Sequence, residues 1–457
     1  MADDQPRYER YDSPAGGWGA AVATAKVLMR ESAVTKGSKA LLSMNQPGGF
    51  KCPSCAYPDP DCTQALEFCE NGAKALAHEV TKFRVTRDFF ERYTVRELAQ
   101  QSDCWLEKQG RLTEPMHYDA ATDRYVPIAW DDAFALIGRH LRALESPHQA
   151  EFYTSGRTSN EAAFLYAIFV RAFGTNNFPD CSNMCHEPTS RGLPHSIGVG
   201  KGTVTMADWV KAEAIFVIGL NTGTNSPRMM TDLVEAERRG VPIIAINPMP
   251  ERALIRFTPP QDVIEMATFG STRIASDYVP IRGHSNVQGD RTAGIDEQPA
   301  AAYLDRVRDV SGFDPPREHG HHTVDAVKAM RAGTAKLFVG MSGNFVRAVP
   351  DTERTYESMR NLDLTVGIST KLNRGHVVHG KEALILPVIS RSERIETEAG
   401  EQFVTIEDAM SKVTASRGVL DPASPDCLAE VEIVCRMARA TLPDSSIKSI
   451  PVKIRLA

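Results

Sequence analysis

Ala214-Ile215-Phe216-Val217-Ile218-Gly219, then Met229 to Arg239 closed by Gly240, then Val241 to Ile246: this stretch decides the fold. Its first and last segments are short and continuously apolar, which suits strands covered on both faces. The middle segment has amphipathic helical spacing, and a glycine just past its end can take the left-handed turn that stops a helix. Strand, helix and strand in this order make a parallel pair, because the chain must cross the sheet face to re-enter in the same direction.

Working outward, a similar unit recurs. Ala335 to Val339 reads as a strand, Asp351 to Met359 as a helix, Leu364 to Ile368 as a strand and Ala383 to Pro387 as another. Upstream, Trp130 to Leu144 has helical spacing, Glu151-Phe152-Tyr153 is a short strand, and Thr158 to Glu161 reads as a capping box opening a helix that ends at Gly174. The fold class expected is α/β, with Rossmann-like parallel-sheet units behind a small loop-rich N-terminal region. Polar residues follow the strands: Asn221, Asn247, Asn344 and Lys371. Open parallel sheets bind ligands outside the carboxyl ends of their strands. Two units therefore suggest two dinucleotide-like ligands, or one large ligand between the halves. Each asparagine taken alone is also an ordinary polar turn residue.

The chain has 457 residues, enough for two or three domains. A net charge of −6 leaves no footprint for nucleic acid or anionic lipid, and no apolar run is long enough to span a bilayer. Residues 1 to about 20 read as flexible. Met1 to Pro14 is polar, without an apolar core or an arginine pair, so a cytoplasmic location is expected. The nine cysteines are unevenly spaced, which reads as reduced thiols, metal ligands or a nucleophile rather than a disulfide framework.

Four of those cysteines fall in the loop-rich stretch Met44 to Gly72: Cys52-Pro53-Ser54-Cys55, then Cys62 and Cys69. Two thiolates at this spacing can grip one iron or zinc, and a bound metal would order a loop with so little periodicity. The spacing fits structural zinc and an iron–sulfur cluster equally, with free thiols a third reading. Lys74 would put a cation beside such a cluster, or be a solvated helix lysine. Cys104, Cys427 and Cys435 have no partners in spacing and are expected in the core.

A second thiol site stands apart in Cys181-Ser182-Asn183-Met184-Cys185-His186-Glu187-Pro188. A thiolate at Cys185 is a soft ligand for a heavy redox metal, and His186 beside it could take a substrate proton. Taken alone, the pair could be a buried thiol and a core histidine. Gly198-Val199-Gly200-Lys201-Gly202 follows, where bare backbone could approach a phosphate. His319, His321 and His322 read as a solvated loop.

Four runs carry a family resemblance: Lys51 to Ala56 with Phe68 to Gly72; Tyr153 to Glu161; Asn176 to Gly202; and Arg282-Gly283-His284-Ser285-Asn286-Val287-Gln288-Gly289-Asp290. They resemble the catalytic subunits of molybdopterin oxidoreductases, in the formate-dehydrogenase-like branch. The resemblance implies molybdenum bound by bis(molybdopterin guanine dinucleotide) and a [4Fe-4S] cluster. It implies Cys185 as the molybdenum ligand, His186 in proton transfer and Arg282 orienting an anionic substrate. It further implies Cys52, Cys55 and Cys69 as cluster ligands, with Lys74, Gly200, Lys201, Asn221, Asn247 and His284 around the cofactor. The partners implied are a small-molecule substrate and an electron-acceptor protein or subunit. The domains expected are an iron–sulfur region over 1–110, an α/β molybdopterin-binding domain over 111–280 and a shortened second α/β domain over 281–457.

Members of that branch are longer at two internal points. Here Ile281 leads straight into Arg282, and Ala440-Thr441-Leu442-Pro443 passes almost directly to Lys448-Ser449-Ile450-Pro451. Two alternatives follow: a shortened homologue that is cofactor-poor and inactive, or a structural zinc-binding protein.

Overall fold

The computed structural model describes residues 12–59, 66–247, 251–259, 263–267, 286–397 and 400–443. The chain divides into two compact units. One comprises Met1–Val27, Cys69–Asn71 and Ala207–Ile281, and the other Leu28–Phe68, Gly72–Met206 and Arg282–Ala457.

The strands that matter here are β1 (Met116–Asp119), β2 (Arg124–Pro127), β3 (Ala150–Thr154), β4 (Ile215–Ile218), β5 (Ile243–Ile246), β6 (Leu337–Met341), β7 (Leu364–Ser369) and β8 (Glu382–Pro387). In the larger unit six of them form one sheet in the order β2-β1-β8-β7-β6-β3. Strands β3, β6, β7 and β8 run parallel, and the β1–β2 hairpin adds antiparallel on the edge at β8. Register places Phe152, Val339, Val366 and Leu384 in one row across the sheet.

Both faces of this sheet are covered, as a parallel sheet requires. On one face Phe152, Val339, Val366 and Leu384 pack with Phe134, Ile137 and Leu141 of helix Trp130–Ala143, Tyr166 and Phe169 of helix Asn160–Phe173, and Ile433 and Met437 of helix Glu430–Thr441. On the other, Tyr153, Phe338 and Ile385 pack with Phe90, Leu98, Leu106, Met330 and Met359.

The start of helix Asn160–Phe173 departs from the sequence reading. Its cap is Ser159, whose hydroxyl accepts from Ala162 N, rather than a Thr158–Glu161 box. The Glu161 carboxylate instead accepts from Thr405 N and Thr405 Oγ1, at 2.8 and 2.6 Å, because a strand end lies within reach. Gly174 ends the helix in the left-handed conformation. At the N-terminus, helix Gly17–Arg30 starts within the stretch read as flexible, next to the short strand Ala15–Gly16 paired with Phe257–Thr258.

In the smaller unit β4 and β5 pair in parallel, joined by helix Met229–Arg238 with Gly240 at positive φ just beyond it. The strand-helix-strand reading of the opening stretch holds. Among the described residues no helix is long and apolar enough to cross a membrane.

Candidate active site at the strand ends

The four parallel strands of the six-stranded sheet end on the same side, and their next residues line one cavity of about 1010 Å³. Ser155 and Arg157 follow β3, Ser342 to Asn344 follow β6, Thr370 to Asn373 follow β7, and Val388 to Arg391 follow β8. Gly343 takes φ +75°, and a Cβ there would crowd the Tyr153 hydroxyl and Ser155, so a side chain would push β6's turn off its neighbour.

Cys185 sits on the wall of this cavity. It ends the short helix Cys181–Cys185, capped reciprocally by Asp180 and Asn183: Asn183 N donates to Asp180 Oδ1 at 2.9 Å, and Asp180 N donates to Asn183 Oδ1 at 3.2 Å. One turn earlier Cys181 is buried, and its Sγ accepts from Gly156 N at 2.9 Å, which ties the helix to the end of β3. Residues four apart share a helix face, so the same face that anchors Cys181 turns Cys185 toward the cavity. Burial pushes the Cys185 thiol above its ordinary pKa, so in this state it carries its proton at neutral pH. His186 is half-buried, stands between this helix and the next, Glu187–Ile197, and does not line the cavity.

Arg291 braces the Cys-His segment from behind. It donates to Ser182 Oγ at 2.7 Å and to Glu187 Oε2 at 3.2 Å, and pairs with Asp180, Asp296 and Glu297 at 3.2–3.4 Å. Burial raises the Asp180 pKa to about 6, against the pull of Arg291. Arg291 belongs to helix Val287–Thr292, which continues the Arg282–Asp290 run. Asn286 fastens that run to the strand end: its N donates to Gly156 O at 2.7 Å, its Nδ2 to Thr158 O at 2.5 Å, and its Oδ1 accepts from Glu407 N at 2.8 Å. Arg282 and His284 lie outside the described residues, as does Cys62.

Behind the cavity floor Arg111 is fully buried and uses each of its donor nitrogens. It grips Glu393 bidentately at 2.8 and 2.9 Å and donates to Glu79 O, Ser390 Oγ, Val388 O and Thr370 O. One guanidinium thereby stitches the ends of β7 and β8 to helix Glu70–Glu79. Lys371, next along from Thr370, lines the same cavity, yet its buried Nζ has no hydrogen-bond partner. The buried Oδ1 of Asn344 also lacks one.

The cysteine loop meets this site through Arg391. Its Nη1 donates to Cys52 O at 3.1 Å and its Nη2 to Arg157 O at 2.6 Å. Asn45, at φ +59°, accepts from Cys52 N at 2.9 Å and donates to Glu67 O at 2.7 Å, drawing the two ends of the loop together. Cys52 and Cys55 face a small recess with Lys51, Tyr57, Asp59 and Asp408, while Pro53 between them lines the large cavity. Cys69 immediately precedes helix Glu70–Glu79. Among the described residues no three His, Cys, Asp or Glu side chains are grouped to hold a metal.

The remaining expected residues are spread more widely. Lys74 is on helix Glu70–Glu79, whose Ala75, His78 and Glu79 line the cavity. Gly200 and Lys201 lie off the lining, and Lys201 pairs with Glu407 at 3.2 Å. In the smaller unit Asn221 caps helix Thr222–Asn225, and Asn247 Nδ2 donates to Glu251 at 3.4 Å. Two readings are corrected. Cys104 is exposed and lines the cavity rather than the core, since the short helix Asp103–Lys108 turns its Leu106 inward instead. His321 is no solvated loop residue: its Nδ1 lies 2.6 Å from Glu151, a fully buried carboxylate on β3. Arg111 and Arg391 are site residues that the sequence reading passed over, while Lys371 and Asn344 were singled out there by their place after predicted strands. For Arg391 the available signal was its position just past the strand Ala383 to Pro387.

Residues 111–262 match the family model described as Molybdopterin oxidoreductase. Protein YdeP of Escherichia coli (strain K12) is 38% identical over 563 residues, covering 96% of this chain and 74% of that protein. An uncharacterized oxidoreductase of Mycobacterium tuberculosis (strain ATCC 25618 / H37Rv) is 39% identical over 532 residues, covering 90% of this chain and 68% of its own length. Over a shorter stretch of 176 residues, the F420-dependent formate dehydrogenase 1 subunit alpha of Methanococcus maripaludis is 31% identical, covering 37% of this chain and 25% of that subunit. The first two matches are longer than this 457-residue chain, so those relatives carry residues inside the matched span that have no counterpart here.

Proposed function

Because this chain belongs to the molybdopterin oxidoreductase family, we propose that it takes two electrons from a small substrate at a molybdenum held by Cys185 in the strand-end cavity. The observation that carries the proposal is the seat of the Cys185 thiol on the wall of a cavity that four parallel strand ends share. The family implies a molybdenum–pterin cofactor, and the residues present fit one. The volume suits a ligand of that size, and the wall offers a buried donor, Lys371 Nζ, and a buried acceptor, Asn344 Oδ1, each without a hydrogen-bond partner, as is His78 Nδ1 on the same lining. A pterin dinucleotide brings phosphate oxygens for the first and ring N–H groups for the second.

When bound, the cofactor supplies the two-electron chemistry, and the protein supplies ligand, orientation and exclusion of water. Cys185 must lose its proton to bind a metal, so loading releases a proton. His186 is proposed to receive the proton that the substrate gives up, Arg282 to orient an anionic substrate, and His284 to contact the cofactor. Lys74, Gly200 and Lys201 are proposed cofactor contacts, as are Asn221 and Asn247 for a guanine dinucleotide at the ends of β4 and β5. A [4Fe-4S] cluster with Cys52 and Cys55 among its ligands would pass electrons to an acceptor protein. The Arg391 bonds to Cys52 O and Arg157 O support this route, because they hold the cysteine loop against the cavity rim.

The rival reading is a shortened homologue that holds no cofactor, and it draws on the residues that the relatives carry and this chain lacks. Anaerobic purification after growth with molybdate, with Mo, W, Fe and Zn quantified together, separates the readings. Near-stoichiometric molybdenum and iron with dye-linked turnover are expected, and Cys185→Ser should abolish turnover with iron content unchanged. A colourless protein containing zinc, or no metal at all, would sink the proposal.

A further inference from the structure

We infer that Lys371 is an oxyanion-recognition residue on the floor of the strand-end cavity. The inference deepens the proposed function by assigning a ligand group to a residue of the same cavity, but its first test does not need the cofactor.

Arg391 is committed to the carbonyls of Cys52 and Arg157, and Arg347 to Asp103 at 2.8 Å. Arg111 is committed to Glu393 and four further acceptors. Arg157 is exposed and keeps its water. Lys371 differs from all of these, because its Nζ is dry and makes no hydrogen bond. Burial lowers its pKa, an effect that Glu107 and Glu31 oppose and Arg111 reinforces. A buried polar group without a partner costs free energy, and a charged one costs more. Folding tolerates that cost where a ligand later supplies the missing acceptors.

The position is also fixed beforehand. The Thr370 carbonyl next to it accepts from Leu112 N at 3.0 Å and from Arg111 Nε at 3.2 Å, and Arg111 with Lys371 forms an isolated antiparallel bridge. The backbone that carries the ammonium is thus clamped by a fully buried guanidinium behind the floor. His78, also on the cavity lining, is held below its ordinary pKa by burial and then by Lys371, so it stays neutral and does not compete for the anion. A compact ammonium at the carboxyl end of a parallel strand suits a phosphate or carboxylate oxygen. That oxyanion can come from the cofactor's phosphate or from a free anionic substrate.

The test uses inorganic pyrophosphate as the probe, with Lys371→Met removing the charge at similar size and Lys371→Arg restoring it. In protein produced without molybdate, pyrophosphate should raise the Tm of the wild type and of Lys371→Arg. Lys371→Met should bind it about tenfold or more weakly. Without any anion, Lys371→Met should melt above the wild type, because a buried ammonium with no hydrogen-bond partner is gone. A structural lysine would give the opposite shift. In molybdenum-loaded wild type, loss of pyrophosphate binding assigns the site to the cofactor's phosphate, and retained binding assigns it to a free anion. An equal pyrophosphate response in wild type and Lys371→Met, or a lower Tm for Lys371→Met without anion, overturns the inference. If the chain proves to hold no molybdenum, the proposed function fails and the first two comparisons still decide this one.

Discussion

The parallel strands of the six-stranded sheet and the β4–β5 pair are built from similar sequence and end in different states. β6, β7 and β8 of the larger unit are buried nearly throughout, with apolar side chains on both faces. β4 and β5 of the smaller unit alternate: Ile215, Val217 and Ile243 are buried, while Phe216, Ile218, Ile244 and Ile246 are 44–53% exposed on the other face. Register sets Phe216 beside Ile244 and Ile218 beside Ile246, so the exposed side chains form one patch. A continuously apolar strand thus reports that both its faces can be buried, not that both are. The first sheet buries apolar area on both faces; the second leaves apolar area of the kind that elsewhere contributes roughly 25 cal/mol per Å² when covered.

The comparison breaks most readily at the floor of the first sheet. Glu393→Ala leaves the Arg111 guanidinium buried without its carboxylate, and losing one partner of a buried pair costs about 3–5 kcal/mol. The denaturant midpoint should fall by that equivalent, and the ends of β7 and β8 should lose amide-exchange protection. An unchanged midpoint would mean that the strand ends do not depend on this pair. Leu386→Ala comes next. Leu386 on β8 is fully buried, and such truncations cost about 2–5 kcal/mol, depending on how far the cavity collapses.

Much of this larger sheet was legible in the sequence, and particular residues show where legibility stopped. The strands at β3, β6, β7 and β8, the helix Asn160–Phe173 and its Gly174 stop all follow from period and end signals. That Phe152 and Val339 would lie side by side does not, because their pairing joins segments far apart in the chain and periodicity carries no pairing information. The same limit applies to the site. Cys185 was legible from its neighbours. Arg111 was not, because its role depends on six acceptors brought together from distant segments. His321 was misread for a related reason: histidines between Gly320 and Thr323 look solvated until a buried carboxylate on β3 turns up beneath them.

That carboxylate gives a smaller, pH-dependent contrast between the sheets. Burial raises Glu151 to about 7, against the hydrogen bond from His321, and that same bond raises His321. Both folded-state values lie above the unfolded ones, so the folded protein binds more protons in the window between them. The contribution of Glu151 to stability should then be greatest below about pH 4.5 and be lost as pH rises through about 7. Glu151→Gln should flatten that slope in Tm against pH between these limits. A slope that survives the substitution would place the responsible group elsewhere.

The smallest expected effect lies on the exposed patch of the second sheet. Ile246→Ser removes an apolar side chain that is 53% exposed, and surface changes of this kind usually stay within about 0.5 kcal/mol. The matched substitution on the buried face of the same pair, Ile243→Ser, puts a hydroxyl where the side chain is 6% exposed and should cost several times more. The ratio of the two tests whether the alternation seen along β4 and β5 holds in solution. Equal losses, or a change in sedimentation with Ile246→Ser alone, would show that something covers the patch. In that case the second sheet would be as fully buried as the first.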